Sequence, residues 1–385
     1  MNDMLCLLCS EAAHVCAADK PQETFCGKVC ARVHYALVDN EAKRKREEDN
    51  TEARFEYFSQ IPADVQRIIL TKLSPQQLWS ACTTNRAMAA ICRSEAFKRE
   101  YIRADTKRMT EFIRDALLRN TRVNQAKLSE WLMLAIQEGA WEPSAEDNSA
   151  IHWAAENGYV DVVQFLMKEK HVDPTTHNNY AIRVAAANGH ADVVRLLLTD
   201  KNVMPTAKDN YAITEAARNG HTEVVRVLLN DRRKDGRKDL RANPRDNRSY
   251  SLLFAVQKGH ADIVRLLLAD GRANPKNDHS STILIASGRG YEEVVHLLLE
   301  DGRADPSDNG SESIRVAAKN GHYQVVYELL EDGRADPNAK DWYYRKNAIE
   351  YAAENGHSKI VQLMLQYPRV KDFLSPEDRA KYSQI

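Results

Sequence analysis

The chain has 385 residues with 54 Lys or Arg and 55 Asp or Glu, so its formal net charge is −1. This balance gives no global electrostatic reason to expect a nucleic acid as partner. No apolar run is long enough for a transmembrane helix, and the opening stretch Met4–Cys9 is too short and polar-flanked for a secretory signal. We therefore expect a soluble protein of a reducing compartment, where cysteines are more often free or metal-bound than paired.

The first 30 residues contain five of the seven cysteines. Cys6-x2-Cys9 and Cys26-x3-Cys30 form two close pairs separated by 16 residues. Four thiolates in this pattern suit a tetrahedral structural zinc, which would fold a segment too short to have a core. The stretch 25–34 resembles part of a MYND-type cross-brace finger, and the resemblance implies one zinc ion on these four cysteines. The alternative is a weakly ordered tail with free thiols.

A charged run follows the cysteines. Lys43-Arg44-Lys45-Arg46 precedes Glu47-Glu48-Asp49. Mixed-sign runs usually stay solvated, so we interpret 41–56 as a linker between modules. A nuclear localisation signal is the alternative.

Residues 57–103 have the pattern of a small helical domain. Pro62 suits the first turn of a helix, where its missing N–H costs nothing. Apolar residues at helical spacing follow, Ser74-Pro75 interrupts them, and a second apolar run covers 78–91. Cys82 and Cys92 fall in this run, and we interpret them as ordinary core residues.

The same segment resembles an F-box. The resemblance rests on Ile61-Pro62, the Ile69–Leu73 pair, Pro75, Leu78 and Asn85-Arg86, whereas Asp64 replaces the usual Glu. It implies docking onto the Skp-type adaptor of a cullin–RING ubiquitin ligase, with the first helix burying its apolar face. The implied contact residues are Ile61, Pro62, Val65, Ile68, Ile69 and Leu73. The alternative is a helical spacer whose apolar residues form its own core.

Two further helical segments connect this domain to the rest of the chain. Met109–Leu118 has the pattern of an amphipathic helix. Leu128–Gly139 resembles the second half of a repeat without its first half, so we interpret it as an N-terminal cap.

Prolines and glycines recur along the remaining sequence. The prolines are 31 residues apart except for one interval of 39, and the glycines are 31 apart except for intervals of 39 and 35. The prolines are Pro143, Pro174, Pro205, Pro244, Pro275, Pro306 and Pro337, and the glycines are Gly158, Gly189, Gly220, Gly259, Gly290, Gly321 and Gly356. The sequence therefore has seven units. We expect the extra residues of the third unit, at 232–239, and of the seventh, around 341–345, to lie in loops.

The unit 174–204 shows the common pattern. Pro174–Tyr180 predicts a turn, and Ala181–Ala187 predicts a short helix. Gly189 tolerates the left-handed conformation that ends a helix. Apolar residues at 193–198 predict a second helix. Since such a pair cannot bury its apolar face alone, we expect the units to stack into an all-α solenoid with a continuous core.

The units resemble ankyrin repeats over about 143–370. Ala150–Val163 follows the family pattern TPLHxAAxxGHxxVV. The unit has 31 residues where the family usually has about 33, so we expect a tighter tip. The TPLH tetrapeptide survives poorly, with Ser149–His152 as its nearest form, which puts its hydrogen bonds in doubt. The resemblance implies that a target protein binds a concave surface made by the tips and first helices.

Aromatic residues at the tips are the candidate binding residues, because aromatic side chains and Arg are enriched in interface hot spots. They are Tyr180, Tyr211, Tyr250, Trp342, Tyr343 and Tyr344. The alternative for the first three is packing against the neighbouring tip.

A histidine follows five of the repeat glycines. We expect these to form hydrogen bonds at the helix junctions, because equivalent positions of stacked helices lie about 8–10 Å apart, too far to share a metal ion.

These patterns predict a protein-binding adaptor, with no enzymatic motif in the sequence. The preferred hypothesis is a substrate receptor that links a target protein to a cullin–RING ubiquitin ligase. The alternative is a scaffold that recruits or masks a partner without ubiquitin. The domains expected are 1–40 (zinc module), 41–56 (linker), 57–103 (F-box-like), 104–142 (connection and cap), 143–370 (repeats) and 371–385 (a frayed tail).

The Asp-Gly-Arg-Ala-Asp-Pro linkers at 301–306 and 332–337, together with the F-box-like segment, resemble ankyrin proteins of large DNA viruses of amoebae. That resemblance implies a host target and a host ligase. We expect a monomer in the cytoplasm, with the nucleus as an alternative, and neither nucleic acid nor membrane as a partner.

Overall fold

The computed structural model describes residues 67, 70–75, 77–78, 82, 86–119, 125–169, 171–231 and 246–385. The chain divides into two compact units, Met1–Ala145 and Glu146–Ile385, called the N-terminal unit and the repeat unit below. The described residues form helices and turns, with no strand among them. The predicted zinc ligands Cys6, Cys9, Cys26 and Cys30 lie outside the described residues. So do the insertion at 232–239 and Ile61, Pro62, Val65, Ile68 and Ile69 of the F-box-like segment.

The described part of the N-terminal unit contains the helices Arg86–Arg93, Glu95–Ala104, Thr106–Arg119 and Gln125–Gln137. The third confirms the amphipathic helix predicted at Met109–Leu118. The core of the N-terminal unit includes the fully buried side chains of Phe97, Ile102, Ile113 and Leu132. The hydroxyl of Tyr101 donates to the carbonyl of Leu73 at 2.7 Å, and burial raises the pKa of this tyrosine. The unit is therefore held by a helical core with at least one buried polar bond.

Cys82 and Cys92 differ from the prediction. They form a disulfide with their Cα atoms 6.0 Å apart, instead of being ordinary core residues with free thiols. Cys92 is buried, whereas Cys82 is half-buried. A disulfide requires Cα atoms within about 7 Å of each other. The spacing of two cysteines along a helical segment does not reveal that distance, so the pair could not be predicted from the sequence.

The repeat unit consists of seven successive helix pairs, here named repeats 1 to 7. The first helices are Ala145–Glu156, Thr176–Ala187, Ala207–Asn219, Asp246–Lys258, Asn277–Arg289, Asp308–Lys319 and Ala348–Glu354. The second helices are Val160–Leu166, Ala191–Leu197, Thr222–Asn230, Ala261–Asp270, Glu292–Asp301, Tyr323–Asp332 and Ser358–Gln366. Second helices pack on second helices, and from repeat 2 onward first helices pack on first helices. Each pair thus buries its apolar face against its neighbours, as the sequence predicts.

The histidines that follow the repeat glycines join consecutive repeats. Nε2 of His190 donates to the carbonyl of Glu156 at 2.9 Å, and Nε2 of His221 donates to the carbonyl of Ala187 at 3.0 Å. His260, His322 and His357 make the same bond to the repeat before them. Because a carbonyl only accepts, Nε2 carries the proton. The predicted helix-junction hydrogen bond is confirmed.

These glycines are needed for two reasons. Gly189 has φ +84°, a left-handed conformation that other residues rarely adopt. A Cβ atom at this position would lie 2.6 Å from Nδ1 of His221. The glycine therefore both ends the first helix and leaves room for the histidine ring of the next repeat.

The tips of most repeats are single left-handed turns. Three consecutive residues with positive φ precede the helical part of each first helix at Glu146–Asn148, His177–Asn179, Lys208–Asn210 and Asn309–Ser311. Such a conformation costs about 1–2 kcal/mol per non-glycine residue. This turn is tighter than a hairpin and explains how the repeat dispenses with about two residues of the usual unit. The tighter tip predicted from the repeat length is confirmed.

In repeats 1, 2, 4 and 6, a side chain at the tip binds the backbone of the next repeat. The third residue of the turn accepts a hydrogen bond from a backbone N–H located 25 residues further on. The acceptor and donor pairs are Asn148 with Asp173, Asn179 with Met204, Ser249 with Asn274, and Ser311 with Asp336. These bonds offset part of the conformational cost of the tips.

Arginines of the later linkers bind the repeat before them. The guanidinium of Arg334 donates to the carbonyls of Leu299, Gly302 and Ala304 at 3.1, 3.3 and 3.2 Å. The carboxylate of Asp332, 2.7 Å from Nη2, orients it. Arg303 and Arg369 bind three carbonyls of the preceding repeat in the same way. The Asp-Gly-Arg-Ala-Asp-Pro sequence is thus a link between repeats that caps a helix C-terminus.

The C-terminal segment differs from the frayed tail that the sequence suggests. Ser375 caps a helix at Pro376–Tyr382, its hydroxyl accepting from the backbone N–H of Asp378 at 3.0 Å. Leu374 and Tyr382 are buried, and this helix packs on Ser358–Gln366. The polar sequence conceals this helix because Tyr382 is its one buried side chain, with Leu374 buried just before it.

We expect Gly189→Ala to destabilise the chain by more than Gly302→Ala. Both glycines are left-handed, which costs alanine about 1–2 kcal/mol, but a Cβ at Gly302 meets nothing within 4 Å. Gly189→Ala also displaces the His221 ring, which adds about 1–3 kcal/mol of overpacking. Urea unfolding of the two variants measures the difference. Equal losses would contradict the proposed steric role of the histidine.

We expect Arg334→Met to lower the free energy of unfolding by about 1–2 kcal/mol, because three carbonyls lose a charged donor. Arg265→Met is the matched control: this arginine pairs only with exposed carboxylates, those of Asp262 and Glu293. Its loss is worth about 0.5 kcal/mol or less. Chemical denaturation of both variants tests the difference, and a control loss as large as that of Arg334→Met would refute it.

Candidate protein-interaction surface

The first helices of successive repeats place a strip of mostly apolar side chains side by side. In repeats 2 to 7, the residue five positions before the repeat glycine stays half-buried after the repeats have stacked, and one of the six is a glutamate. They are Val184, Glu215, Phe254, Ile285, Val316 and Tyr351. We call this strip, with the tyrosines beside it, the first-helix face. Its composition is unusual for a solvated surface, since extended apolar patches tend to mark interaction sites.

Tyr180, Arg183 and Tyr211 form a cluster at the tip side of this face. The Arg183 guanidinium lies 5.5 Å from the ring centroid of Tyr180 and 5.3 Å from that of Tyr211. Its Nε and Nη2 donate to the carbonyls of Asn178 and His177 at 2.9 and 3.0 Å. Tyr211 remains 39% exposed. The arginine therefore holds both the left-handed tip and two aromatic rings in place.

His152 closes the other side of Tyr180, with their ring centroids 5.0 Å apart. Nε2 of His152 shares a hydrogen bond of 2.9 Å with the hydroxyl of Thr176. Burial, followed by the charges of His177 and Arg183, lowers the pKa of His152 to about 4. This histidine is neutral near pH 7 and serves as a packed, hydrogen-bonded support, so Tyr180 does pack against the neighbouring repeat.

Tyr250 packs within its own repeat. Its ring stacks on Phe254 with centroids 5.6 Å apart, and the guanidinium of Arg218 lies 3.8 Å from the Phe254 centroid. Tyr250 is half-buried. The three predicted tyrosines therefore all lie on the first-helix face, and Tyr211 offers the most accessible ring of the three.

The tip of repeat 7 is a longer loop than the left-handed turns. Residues 341–346 close on themselves through the backbone N–H of Asp341, which donates to the carbonyl of Lys346 at 3.0 Å. This loop contains the insertion around 341–345, which lies outside the helices, as predicted. We call it the repeat 7 loop.

Asp341 organises the repeat 7 loop. Its carboxylate accepts from the backbone N–H groups of Tyr343, Tyr344 and Lys346 and from the hydroxyl of Tyr351 at 2.9, 2.5, 2.9 and 3.0 Å. Desolvation raises the pKa of this carboxyl, but the four donors outweigh it and lower the pKa to about 2. The loop is therefore fixed by one ionised side chain.

Three aromatic side chains project from the repeat 7 loop. Trp342, Tyr343 and Tyr344 are 86%, 66% and 63% exposed. Their rings meet edge to face, with centroids 5.5 Å apart for the first pair and 4.6 Å for the second. They border a groove that is lined by Asn309, Glu312, Arg315, Val316, Lys319, Asp341, Trp342 and Tyr351. Exposed aromatic groups on a rigid loop are typical of binding hot spots.

Leu73 is the one residue of the predicted F-box contact set that the structure describes. Its side chain is 2% exposed, within the core of the N-terminal unit. Its carbonyl accepts from Tyr101 and from Arg108. This burial favours a packing role for Leu73 in the chain alone. Contact between the F-box-like segment and a Skp-type adaptor stays a prediction.

Sequence reasoning missed the bonds that replace the TPLH motif. Arg315 donates to the carbonyls of its own tip, at Asn309 and Gly310, as Arg183 does in repeat 2. Hydroxyls of Thr282 and Ser313 donate to the carbonyls of Pro275 and Pro306 at 2.7 and 2.8 Å. These bonds could have been predicted from the sequence. Arg183 and Arg315 stand six residues before a repeat glycine, and Thr282 and Ser313 stand eight residues before one.

Two kinds of feature do not occur among the described residues, a metal-holding cluster and a membrane-spanning helix. No group of three or more His, Cys, Asp or Glu side chains there is placed to hold a metal ion. None of the helices that the structure describes combines the length and apolarity needed to cross a bilayer.

A family model for ankyrin repeats, described as three copies, matches residues 117–209, 182–279, 213–309, 252–341 and 283–373. These matches cover more than half of the chain. The chain therefore belongs to the ankyrin-repeat family. Ankyrin repeats indicate a domain for protein–protein interaction.

Several solved structures are similar to part of the chain. The ankyrin repeat domain of Bcl-3, a member of the IkappaB protein family, is 23% identical over 55% of this chain and 97% of its own, with a TM-score of 0.44. The human ASB11 ankyrin repeat domain is 20% identical over 55% and 96%, also with a TM-score of 0.44. The ankyrin repeat protein EF0377 is 23% identical over 48% and 96%, with a TM-score of 0.40. A comparison with curated proteins gives no match.

We expect the repeat 7 loop to be ordered above pH 4 and to loosen as the pH falls toward 2. The sign follows from the lowered pKa of Asp341: protonation, which is easier in the unfolded chain at about 3.9, removes the acceptor that the loop requires. Amide exchange of Tyr343, Tyr344 and Lys346, measured by NMR between about pH 2 and 6, reports the change. Asp341→Ala should remove the pH dependence, and its persistence in that variant would contradict the assignment.

Proposed function

We propose that the chain is an adaptor that captures a target protein on the first-helix face and the tips of its repeats. The observation that supports this proposal best is the strip of apolar and aromatic side chains that stays accessible after stacking. Tyr211 and Phe254 are held there by Arg183 and Arg218, so their rings are ordered before a partner arrives. Ordering in advance reduces the entropic cost of binding.

We further propose that the F-box-like segment 57–103 connects the bound target to a cullin–RING ubiquitin ligase through a Skp-type adaptor. The support is the sequence pattern from Ile61-Pro62 to Asn85-Arg86. In this role the chain performs no chemistry, since tethering alone raises the concentration of the target beside the ligase. The alternative is a scaffold that recruits or masks a partner. One structural zinc on Cys6, Cys9, Cys26 and Cys30 remains a separate proposal.

Two variants separate capture of the target from docking of the ligase. Ile61→Asp should abolish binding of the purified Skp-type adaptor in a pull-down, because the charge interrupts an apolar contact, whereas Tyr211→Asp should leave it unchanged. Tyr211→Asp should instead deplete the proteins captured from cells, as quantified by mass spectrometry. Tyr323→Asp is the matched control, because this tyrosine is 43% exposed on a second helix.

If the unmodified chain fails to bind the Skp-type adaptor, the ligase role is excluded and the scaffold alternative is retained. Equal depletion by Tyr211→Asp and Tyr323→Asp would exclude the first-helix face.

A further inference from the structure

The disulfide between Cys82 and Cys92 ties together two parts of the N-terminal unit. The cysteines are 10 positions apart in sequence, so the disulfide closes a short loop that includes nearly all of the helix Arg86–Arg93. Both cysteines line a cavity of about 170 Å³. The other residues that line it include Pro75, Leu78, Ala89 and Tyr101. Residues from before, within and after the closed loop therefore share one core.

This core covers the residue that the F-box resemblance assigns to docking. Leu73 is 2% exposed, and its carbonyl accepts a hydrogen bond of 2.7 Å from the hydroxyl of Tyr101, which itself lines the cavity. A partner cannot contact the side chain of Leu73 in this form. Docking through Leu73 therefore requires the segment around it to leave the core.

The disulfide opposes that opening. Because the loop 82–92 shares the core with Leu73, opening of this core releases the loop as well. A covalently closed loop has fewer open conformations than the same chain with two free thiols, and a loop of this length favours the closed form by on the order of 100-fold. The apparent affinity of a partner that binds only the open form falls in proportion to the open fraction. The oxidised chain is therefore expected to dock more weakly than the reduced chain.

The disulfide is within reach of small thiols. Cys82 is half-buried, whereas Cys92 is buried. The thiolate of a low-molecular-weight thiol such as glutathione attacks Sγ of Cys82, the disulfide bond breaks, and Cys92 leaves as a thiolate. A second thiolate attacks the glutathione sulfur of the mixed disulfide, so that glutathione disulfide forms and Cys82 leaves. The two cysteine thiolates take up the two protons that the glutathione thiols released.

We propose that the Cys82–Cys92 pair is a redox switch of the F-box-like segment. The disulfide holds the segment closed, and reduction by a glutathione-type thiol frees Leu73 for docking. The proposal rests on the proposed function, because docking onto a Skp-type adaptor is the activity that the switch controls. It adds a condition to that function: the chain connects its target to the ligase in a reducing environment and disconnects it under oxidising conditions.

Hydrogen exchange and adaptor binding test the proposal on the full chain, equilibrated in either reduced or oxidised glutathione. Alkylation followed by mass spectrometry gives the oxidation state of the peptides that carry Cys82 and Cys92. On reduction we expect the backbone amides of residues 70–78 to exchange about 10- to 100-fold faster, because the constraint of the loop is lost. The apparent affinity for the purified Skp-type adaptor should rise by at least about tenfold.

The double variant Cys82→Ala, Cys92→Ala should exchange and bind in both buffers as the reduced chain does. Cys16→Ser is the matched control, since it removes a cysteine that belongs neither to the disulfide nor to the proposed zinc ligands. This variant should keep the response to glutathione. Circular dichroism verifies that the helices of both variants are retained.

Three results would overturn the proposal: Cys82 and Cys92 stay reduced in oxidised glutathione, exchange at residues 70–78 is equal in the two buffers, or the adaptor binds both forms equally tightly. Faster exchange on reduction, with no adaptor binding in either buffer, would instead refute the ligase role and support the redox-controlled opening. Failure of the switch and failure of the proposed function are thus distinguished.

Discussion

The close approach of each helix pair to the pair before it is the interaction on which the repeat unit depends. A helix pair with one apolar face has no stable fold alone, and stacking buries that face along the whole array. The approach is close enough that the ring of His221 occupies the space where Gly189 would carry a Cβ. The histidine then bonds to the preceding repeat. Steric fit and a hydrogen bond thus set the same spacing between repeats.

The left-handed tips show how local conformational cost and long-range bonding are combined. The tips of repeats 1, 2, 3 and 6 each have three residues in a conformation that is unfavourable by itself. A side chain of the tip bonds to the next repeat, and Arg183 or Arg315 bonds to carbonyls of its own tip. Because these supports come from both directions along the chain, the tips are fixed in the assembled array. A row of fixed tips beside an apolar strip is suited to binding a partner without large rearrangement.

The seventh repeat differs from the others because four extra residues convert its tip into a longer loop. One carboxylate, that of Asp341, orders this loop by accepting four hydrogen bonds. The result is the exposure of three aromatic rings next to a groove lined by charged side chains of both signs. The other tips place their tyrosines against neighbouring side chains. The array therefore has two kinds of surface: a continuous strip along the first helices, and one projecting aromatic site at the C-terminal end.

The sequence by itself determined the number of repeats, their helix pairs, the glycine that ends each first helix and the tyrosines of the tips. All of these follow from a period, and a period is visible along the chain. The tertiary structure decided what depends on the distance between residues that are not neighbours in sequence: the pairing of Cys82 with Cys92, the bonds of Arg334 to the preceding repeat, and the packing of the helix after Ser375 on the last repeat. It also showed that Leu73 is buried. Periodicity encodes local conformation and the face that must be covered, but only the assembled neighbours determine which groups meet.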